Sequence, residues 1–421
     1  MKQFLQGQFR RQVGATFFTQ LMSLIFSITT AAIIARWLGP EGKGILTMAL
    51  LVPGTLVIFL SFGIEAANVY FVGSKRFDVS ILSKNSVTFT FLATWIGTGV
   101  IVGLLSLKWL EKILPDVPTW FVLIALIGFP IGLLSVYLNS ILQGLQSIIK
   151  VNIINLTKGG LILALTFLFV VTLKIGLLGA LIAHLGAGIL CLAVLTLVLQ
   201  AEGGTFIARW NPAVMCSTIS FGLKGHVGNI LQFFNYRLDM FFVNFFLGPA
   251  GVGIYTVSVS LAELLWYLPN AVGFVIFPKS ASSQPEVMNL FVPRVFRITL
   301  ILTALGAIGL VFLGKHFIQW IFSPLFDSAY FPMVVLLPGV VLLGGAKVLS
   351  NDLAGRGYPQ YNSINAGVAA ILTVILDLVL IPSYGVMGAA IASSIAYGVI
   401  FLMAFCFHRI VSRRVRGVLC A

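Results

Sequence analysis

Apolar residues run along this chain in stretches of roughly twenty, and polar residues collect in the short gaps between them. The stretches lie at about 13–37, 44–72, 86–107, 120–142, 152–173 and 176–200. They continue at about 218–247, 251–277, 295–313, 332–350, 362–381 and 386–408. A helix rising 1.5 Å per residue crosses a hydrocarbon layer of about 30 Å in roughly twenty residues. The pattern therefore predicts an all-α polytopic membrane protein with about twelve transmembrane helices. The opening MKQFLQGQFRRQ is followed by an apolar run too long for a signal-peptide core, with no small-x-small site behind it. It predicts a retained first span.

Composition sharpens this. Of 421 residues, 59% are apolar and 9% charged, where a soluble domain is nearer half and a quarter. So few charges cannot coat a soluble surface. No hydrophilic stretch is long enough for an extramembrane catalytic domain, so the chain is not expected to be an enzyme. Cys191, Cys216, Cys406 and Cys420 have no CxxC spacing, and no His/Cys/carboxylate set has metal-ligand spacing. No cofactor is expected.

The net charge of +14 comes from 26 Lys and Arg against 12 Asp and Glu. The basic residues fall in separate short loops rather than one patch, which points to a membrane partner and not to nucleic acid. Twelve spans put both termini on one side. Eighteen cations sort to that side, among them Lys150, Lys158, Lys279, Lys347 and Arg356. Six sort to the other: Arg36, Lys43, Lys108, Lys112, Lys174 and Lys315. The positive-inside rule then predicts a multi-pass cell-membrane (inner or plasma membrane) protein with both termini cytoplasmic. Trp37, Trp109, Trp120 and Trp320 fall at the opposite ends of spans, as an interfacial aromatic belt would. Trp95 and Trp266 fall within spans, where packing or a cavity wall is expected.

The chain also repeats itself. GPEGKGI at Gly39–Ile45 returns as GPAGVGI at Gly248–Ile254, an offset of 209. IGLLGALIA at Ile175–Ala183 returns as YGVMGAAIA at Tyr384–Ala392 at the same offset, and Gly144 aligns near Gly355. The unit is six spans. Six is even, so both halves enter the membrane from the same face, which predicts parallel lobes, residues 1–208 and 209–421, with a cleft between them. Glycine and proline explain the GPEGKG and GPAGVG turns, and the small residues opening spans 6 and 12 let helices approach closely.

Ionisable groups within spans are costly and are the first functional candidates. Span 7 carries Lys224, His226, Arg237 and Asp239 beside Asn229, Gln232, Asn235 and Asn244; span 8 carries Glu263. Arg237 and Asp239 are two apart, about 200° around a helix, so each requires its own partner. Glu263 is a candidate partner for a span 7 cation. Arg237, Asp239, Lys224, Asn235 and Gln232 are the candidate substrate-binding set of the cleft, suited to an anionic headgroup such as a pyrophosphate. Asp239 and Glu263 are candidates for a coupling proton or sodium ion. Glu65 and Asp377, near span ends, read as structural. His184 and His226 read as satisfied core groups, His316 and His408 as loop or interface residues. Pro53, Pro130, Pro269 and Pro338 each remove a backbone bond within a span.

At GPEGKG, at NYRLDMFFVNFFLGPAGVGIY followed by LPNAVGFVIFP, and at YGVMGAAIA, the sequence resembles the polysaccharide-transport, Wzx-type oligosaccharide flippases. These belong to the multidrug/oligosaccharidyl-lipid/polysaccharide exporter superfamily. The resemblance covers essentially the whole chain. It implies two six-helix lobes in a V. It also implies ion-coupled, alternating-access movement of an undecaprenyl-pyrophosphate-linked sugar unit from the inner to the outer leaflet, for cell-surface polysaccharide biosynthesis. The RLD segment carries the resemblance to Arg237 and Asp239, whereas span 1 arginines of relatives have no counterpart. Twelve spans, rather than the fourteen of the lipid II branch, imply no extra lipid-tail groove. The implied partners are the bilayer, the lipid-linked oligosaccharide, and glycosyltransferases or a polymerase of the same pathway, the protein itself acting as a monomer. A drug/cation antiporter of the same superfamily is the competing reading, with Asp239 or Glu263 as its acid.

Overall fold

A bilayer core offers no water to hydrogen-bond a peptide group, so a chain of this composition must satisfy its backbone within helices. In the computed structural model the backbone is described for residues 2–419, and side chains for 18–412 apart from 282 and 285. Ten apolar helices are long enough to span a membrane among these residues. They are α1 (Phe18–Leu60), α2 (Val79–Ser106), α3 (Thr119–Gly144), α4 (Ile148–Thr172), α5 (Leu177–Ala201), α6 (Pro212–Ala281), α7 (Glu286–Phe322), α8 (Pro324–Gly355), α9 (Gln360–Tyr384) and α10 (Val386–Ser412). Two of them hold a single non-helical residue, Gly39 in α1 (φ 68°, ψ −173°) and Gly248 in α6 (φ 69°, ψ −176°). Dividing α1 and α6 there gives the twelve expected segments.

Those two residues turn the chain back on itself. Asp239 and Tyr255 would be about 24 Å apart along a straight helix, yet their side chains hydrogen-bond at 2.5 Å across Gly248. Only glycine takes this positive φ without penalty, so a tight elbow costs the bilayer a minimum of exposed backbone. The same device recurs at the other repeated motif, with Gly176 (φ 73°, ψ −138°) and Gly385 (φ 59°, ψ −140°) ahead of α5 and α10. The duplication is thus visible in backbone geometry. It also shows in packing: a Cβ on Gly144 would meet Val69 and Val72, and one on Gly355 would meet Phe277 and Ser280.

The chain forms two compact units, one up to His226 and the other from Val227. The sequence duplication divides at 208/209, while the packing division falls within α6. The first turns of α6 explain this, because Val214 and Met215 are buried in the cores of the first unit. One such core gathers Phe71, Leu82, Leu138, Leu142, Ile154 and Leu199. A second holds Ile64, Phe89, Phe129, Leu133 and Tyr137. Buried Asn68 ties them, donating from Nδ2 to Ser86 Oγ (3.2 Å) and to the Tyr137 carbonyl (3.3 Å).

In the second unit α8 is the central helix, with Met333, Leu336, Leu337, Val340, Ala346 and Leu353 all buried. It meets α10 where Gly339 and Ser394 approach: the Gly339 N–H donates to Ser394 Oγ at 3.0 Å. Large apolar side chains face outward instead, including Phe274, Leu290, Phe312 and Trp320, each about three-quarters exposed. Such a surface is stable only against lipid. Trp37, Trp109 and Trp120 are exposed as a belt requires. Trp95 is also exposed, at 65%, so it packs in no core of this structure. Of the intramembrane prolines, Pro130 and Pro269 sit just after local departures from α-helix at 126–127 and at Leu264–Trp266, where the missing N–H leaves a carbonyl free.

A Cβ added at Gly339 would lie 2.5 Å from the Ser394 Cα, with backbone that cannot yield, whereas one at Gly99 meets nothing within 4 Å. Gly339→Ala is expected to destabilise the protein by about 1–3 kcal/mol and to lower its thermal midpoint in detergent. Gly99→Ala is expected to leave that midpoint unchanged.

Candidate functional site

The elbow at Gly248 brings the two arms of α6 together, and with them the charges of spans 7 and 8. Arg237 makes a forked pair with Glu263, Nη1 to Oε1 at 3.1 Å and Nη2 to Oε2 at 3.4 Å. Both side chains stay partly accessible, 34% and 24% exposed. Arg237 also donates to the Tyr236 carbonyl at 3.0 Å. Lys347 of α8 joins this group. Its Nζ lies 4.3 Å from the centre of the Trp266 ring and 5.7 Å from that of Tyr236, and it donates to Asn270 Oδ1 at 2.9 Å. The Glu263 charge reaches Lys347 as well as Arg237. Two cations thus share one carboxylate, beside an aromatic cluster of Tyr236, Trp266 and Tyr397 with ring centres 5.3–6.3 Å apart.

Asp239 points elsewhere, as the two-residue spacing requires. It is 2% exposed and accepts from Tyr255 Oη (2.5 Å), Ser393 Oγ (3.3 Å) and the Met240 N–H (2.8 Å). Asp377 of α9 lies within reach of its charge and is fully buried. Among the described residues neither Asp377 oxygen has a hydrogen-bond partner, nor does the hydroxyl of buried Thr373 one turn away. Asp377, expected as a structural residue near a span end, is therefore a buried acid without a hydrogen-bond partner among the described residues, near enough to Asp239 for the two charges to interact.

Of the remaining candidates, Gln232 touches the first cluster through Tyr236, and Asn235 and Lys224 join neither. Asn235 is buried and donates to the Leu231 and Ala366 carbonyls, tying α6 to α9. Gln232 is exposed and hydrogen-bonds Tyr236. Lys224 belongs to the first unit, where it is exposed over the Phe221 ring at 6.0 Å. His184 Nδ1 contacts the Ala180 carbonyl at 2.9 Å, and His226 Nε2 the Phe59 carbonyl at 3.2 Å, but His226, expected as a satisfied core group, leaves Nδ1 buried without a hydrogen-bond partner among the described residues.

His408 differs from its expectation as a loop or interface residue. It is buried, 3.0 Å from Asp352 Oδ2, which Arg356 approaches at 2.8 Å. Ser280 donates to the other Asp352 oxygen at 2.6 Å, and Arg356 reaches Asn289 at 2.7 Å. This network joins the ends of α6, α8 and α10 to the start of α7. Sequence reading placed Arg356 among loop cations and gave Asp352 no role, because hydropathy marks the end of a span but not what meets there. Lys43 needs the same correction: the sequence reading placed it in the GPEGKG turn, and it is buried within α1.

A model of the family described as "Polysaccharide biosynthesis protein" matches residues 9–284. "Uncharacterized membrane protein MJ1375" of Methanocaldococcus jannaschii is 23% identical over 415 residues, covering 91% of this chain and 92% of that one. "Probable low-salt glycan biosynthesis flippase Agl15" of Haloferax volcanii is 20% identical over 187 residues, 44% of this chain. The chain spans about two fifths of the length of Agl15 and of the other curated relatives that it matches in part. Among solved structures, "Lipid II flippase MurJ, inward closed conformation" superposes with a TM-score of 0.72 at 17% identity, over 94% of this chain and 86% of that one. That likeness establishes the fold.

Asp352 is fully buried with the Arg356 guanidinium and the His408 ring on it. Removing one member of a buried ionic group leaves the rest uncompensated, at about 3–5 kcal/mol. Asp352→Asn is expected to lower the thermal midpoint of the purified protein by that measure, and an unchanged midpoint would show that the network contributes little.

Proposed function

We propose, since the chain belongs to the polysaccharide biosynthesis protein family and its superfamily of exporters, that it is a membrane transporter that flips a lipid-linked glycan across the bilayer. The observation that carries this reading is the partly exposed group of Arg237, Glu263 and Lys347 beside Tyr236, Trp266 and Tyr397. A guanidinium fork fits a phosphate as well as a carboxylate, so an incoming pyrophosphate competes with Glu263 for Arg237. The second cation makes that exchange favourable without leaving Glu263 unneutralised. Aromatic faces with a few polar groups beside them are suited to a sugar ring. The probable flippase Agl15 is a partial relative, which agrees with this chemistry.

The specific substrate in this reading is an undecaprenyl-pyrophosphate-linked oligosaccharide repeat unit, moved from the inner to the outer leaflet by alternating access. Both termini are cytoplasmic. The bias of basic residues that supports this stays at about three to one after Lys43, Lys158 and Lys347 are set aside. The coupling ion binds at Asp239 and Asp377. Two carboxylates in a dry site cannot both be charged, so a proton or a sodium ion must compensate one of them. The enclosure of Asp239 favours this role over direct contact with the glycan. The same acids support the second reading, a drug/cation antiporter, in which Asp239 and Asp377 bind the proton or sodium ion exchanged for the exported cation.

In a strain lacking its own flippase, Arg237→Ala is expected to cut surface glycan by about tenfold or more, the worth of one charge-assisted contact, with Arg237→Lys keeping part of it. Full activity of Arg237→Ala at normal membrane abundance removes this residue from the mechanism. Export of a cationic dye with no effect on glycan favours the antiporter. In proteoliposomes, Asp377→Asn is expected to abolish the response of transport to an imposed proton or sodium gradient. A response equal to that of the unaltered protein would place coupling elsewhere.

A further inference from the structure

Beyond α1 the helix breaks at Ser61–Gly63, where Phe62 (φ 50°) and Gly63 (φ 69°) take left-handed backbone, and it resumes as a ten-residue helix, Ile64–Gly73. A break of this kind frees carbonyls, and two side chains take them. Tyr137 Oη of α3 donates to the Ser61 carbonyl at 3.1 Å, and His226 Nε2 of α6 lies 3.2 Å from the Phe59 carbonyl. Glu65 stands in the first turn of the resumed helix, and Asn68 follows one turn later. Residues three apart share a helix face, with Cβ atoms about 5–6 Å apart.

Asn68 is fully buried, and its amide can sit only one way round. Nδ2 donates to the Tyr137 carbonyl, which can only accept, and to Ser86 Oγ of α2. Oδ1 is thereby turned to the other side, where it has no hydrogen-bond partner among the described residues. Buried Oε2 of Glu65 has none either. No described lysine or arginine forms an ion pair with Glu65. Its charge reaches the Tyr137 phenol, but that proton is already on the Ser61 carbonyl. His226 from α6 is engaged with Phe59, and on α2 Lys84 lies about 160° around the helix from Ser86. Ser83, one turn before Ser86, is fully buried with an unpartnered hydroxyl, so the polar line continues toward the start of α2.

A carboxylate oxygen and an amide oxygen on one face, with no donor between them, repel each other; a positive charge there turns both into ligands. One carboxylate balances one positive charge, and a divalent ion would strand its second charge in the core. We propose that Glu65 and Asn68 form a binding site for a monovalent cation, a proton or a sodium ion, held between Glu65 Oε2 and Asn68 Oδ1. As a proton it makes Glu65 a neutral acid that donates to Asn68. As sodium it is coordinated by the two oxygens. In either form it holds the helix Ile64–Gly73 against α2 and α3 behind the break. The site lies wholly within the first unit and is separate from Asp239 and Asp377 of the second.

The test uses the full-length protein in nanodiscs of uncharged lipid, with sodium and the proton as its two probes. Radiolabelled sodium is followed in equilibrium binding at constant ionic strength held with choline chloride. Protonation is followed as the infrared carbonyl band of a carboxylic acid between alkaline and acid pH. A sodium site is expected to give a saturable component that Glu65→Gln abolishes and Asn68→Leu weakens by about tenfold. A proton site is expected to give a carboxylic-acid band that Glu65→Gln removes and Asn68→Leu shifts. If Glu65→Gln changes neither the sodium binding nor the bands, the proposal is overturned. The acids of the second unit are present in every sample, so that failure leaves their role untouched. Should Glu65→Gln fail to accumulate, Glu65→Asp decides, because it keeps the charge and withdraws it by one methylene. A sodium affinity about tenfold weaker, or a shifted acid band, supports the site, and no change in either overturns it.

Discussion

A peptide group in a bilayer has no solvent to turn to, and this one constraint shapes most of what is described above. The chain stays helical almost throughout, and the paired turns of its repeat each carry a positive-φ glycine, Gly39, Gly176, Gly248 and Gly385. An elbow of one residue does more than save hydrogen bonds. It lays the two arms of a long helix side by side, so that residues sixteen or more positions apart become neighbours. Asp239 and Tyr255, and Arg237 and Glu263, meet for this reason. The elbows thus create both the fold and the places where polar groups can be satisfied.

Duplication supplied that frame twice, and the two copies then took different chemistry. Backbone angles at paired glycines agree within about fifteen degrees, because hydrogen-bond economy in the membrane constrains the turn equally in each half. Side chains beneath the elbow are under no such constraint. One copy fills that space with tyrosine and aspartate; in the other a cavity remains, with Lys43 and His184 in its wall.

Within the second unit, charge is divided by accessibility. Arg237, Glu263 and Lys347 remain partly exposed and can exchange partners at modest cost, since neither ion is stranded when the pair opens. Asp239 and Asp377 are buried, where a single uncompensated charge costs several kcal/mol. The first arrangement suits the reversible capture of an ionic ligand, and the second suits an obligatory proton or ion. The Asp352 group is a third case, buried and held by close ionic contacts at the helix ends, and serves as a clasp.

Hydropathy and self-similarity along the chain determined the helical class, the twelve segments, the six-span repeat and the glycines at its turns. These depend on burial in lipid and on local backbone geometry, both of which each short stretch of residues carries within itself. The spacing of Arg237 and Asp239 likewise showed that they face different partners, and Glu263 was legible as a partner for a span 7 cation. The tertiary structure alone decided the rest. Lys43 read as a loop cation because a lysine near a span end looks the same whether it snorkels to water or turns inward. Asp377 and the Asp352–Arg356–His408 network were hidden because their meaning rests on contacts between helices distant in sequence. Whether a membrane charge is paired, buried or open to a ligand is set by which neighbouring helix lies against it, and no stretch of one helix contains that information.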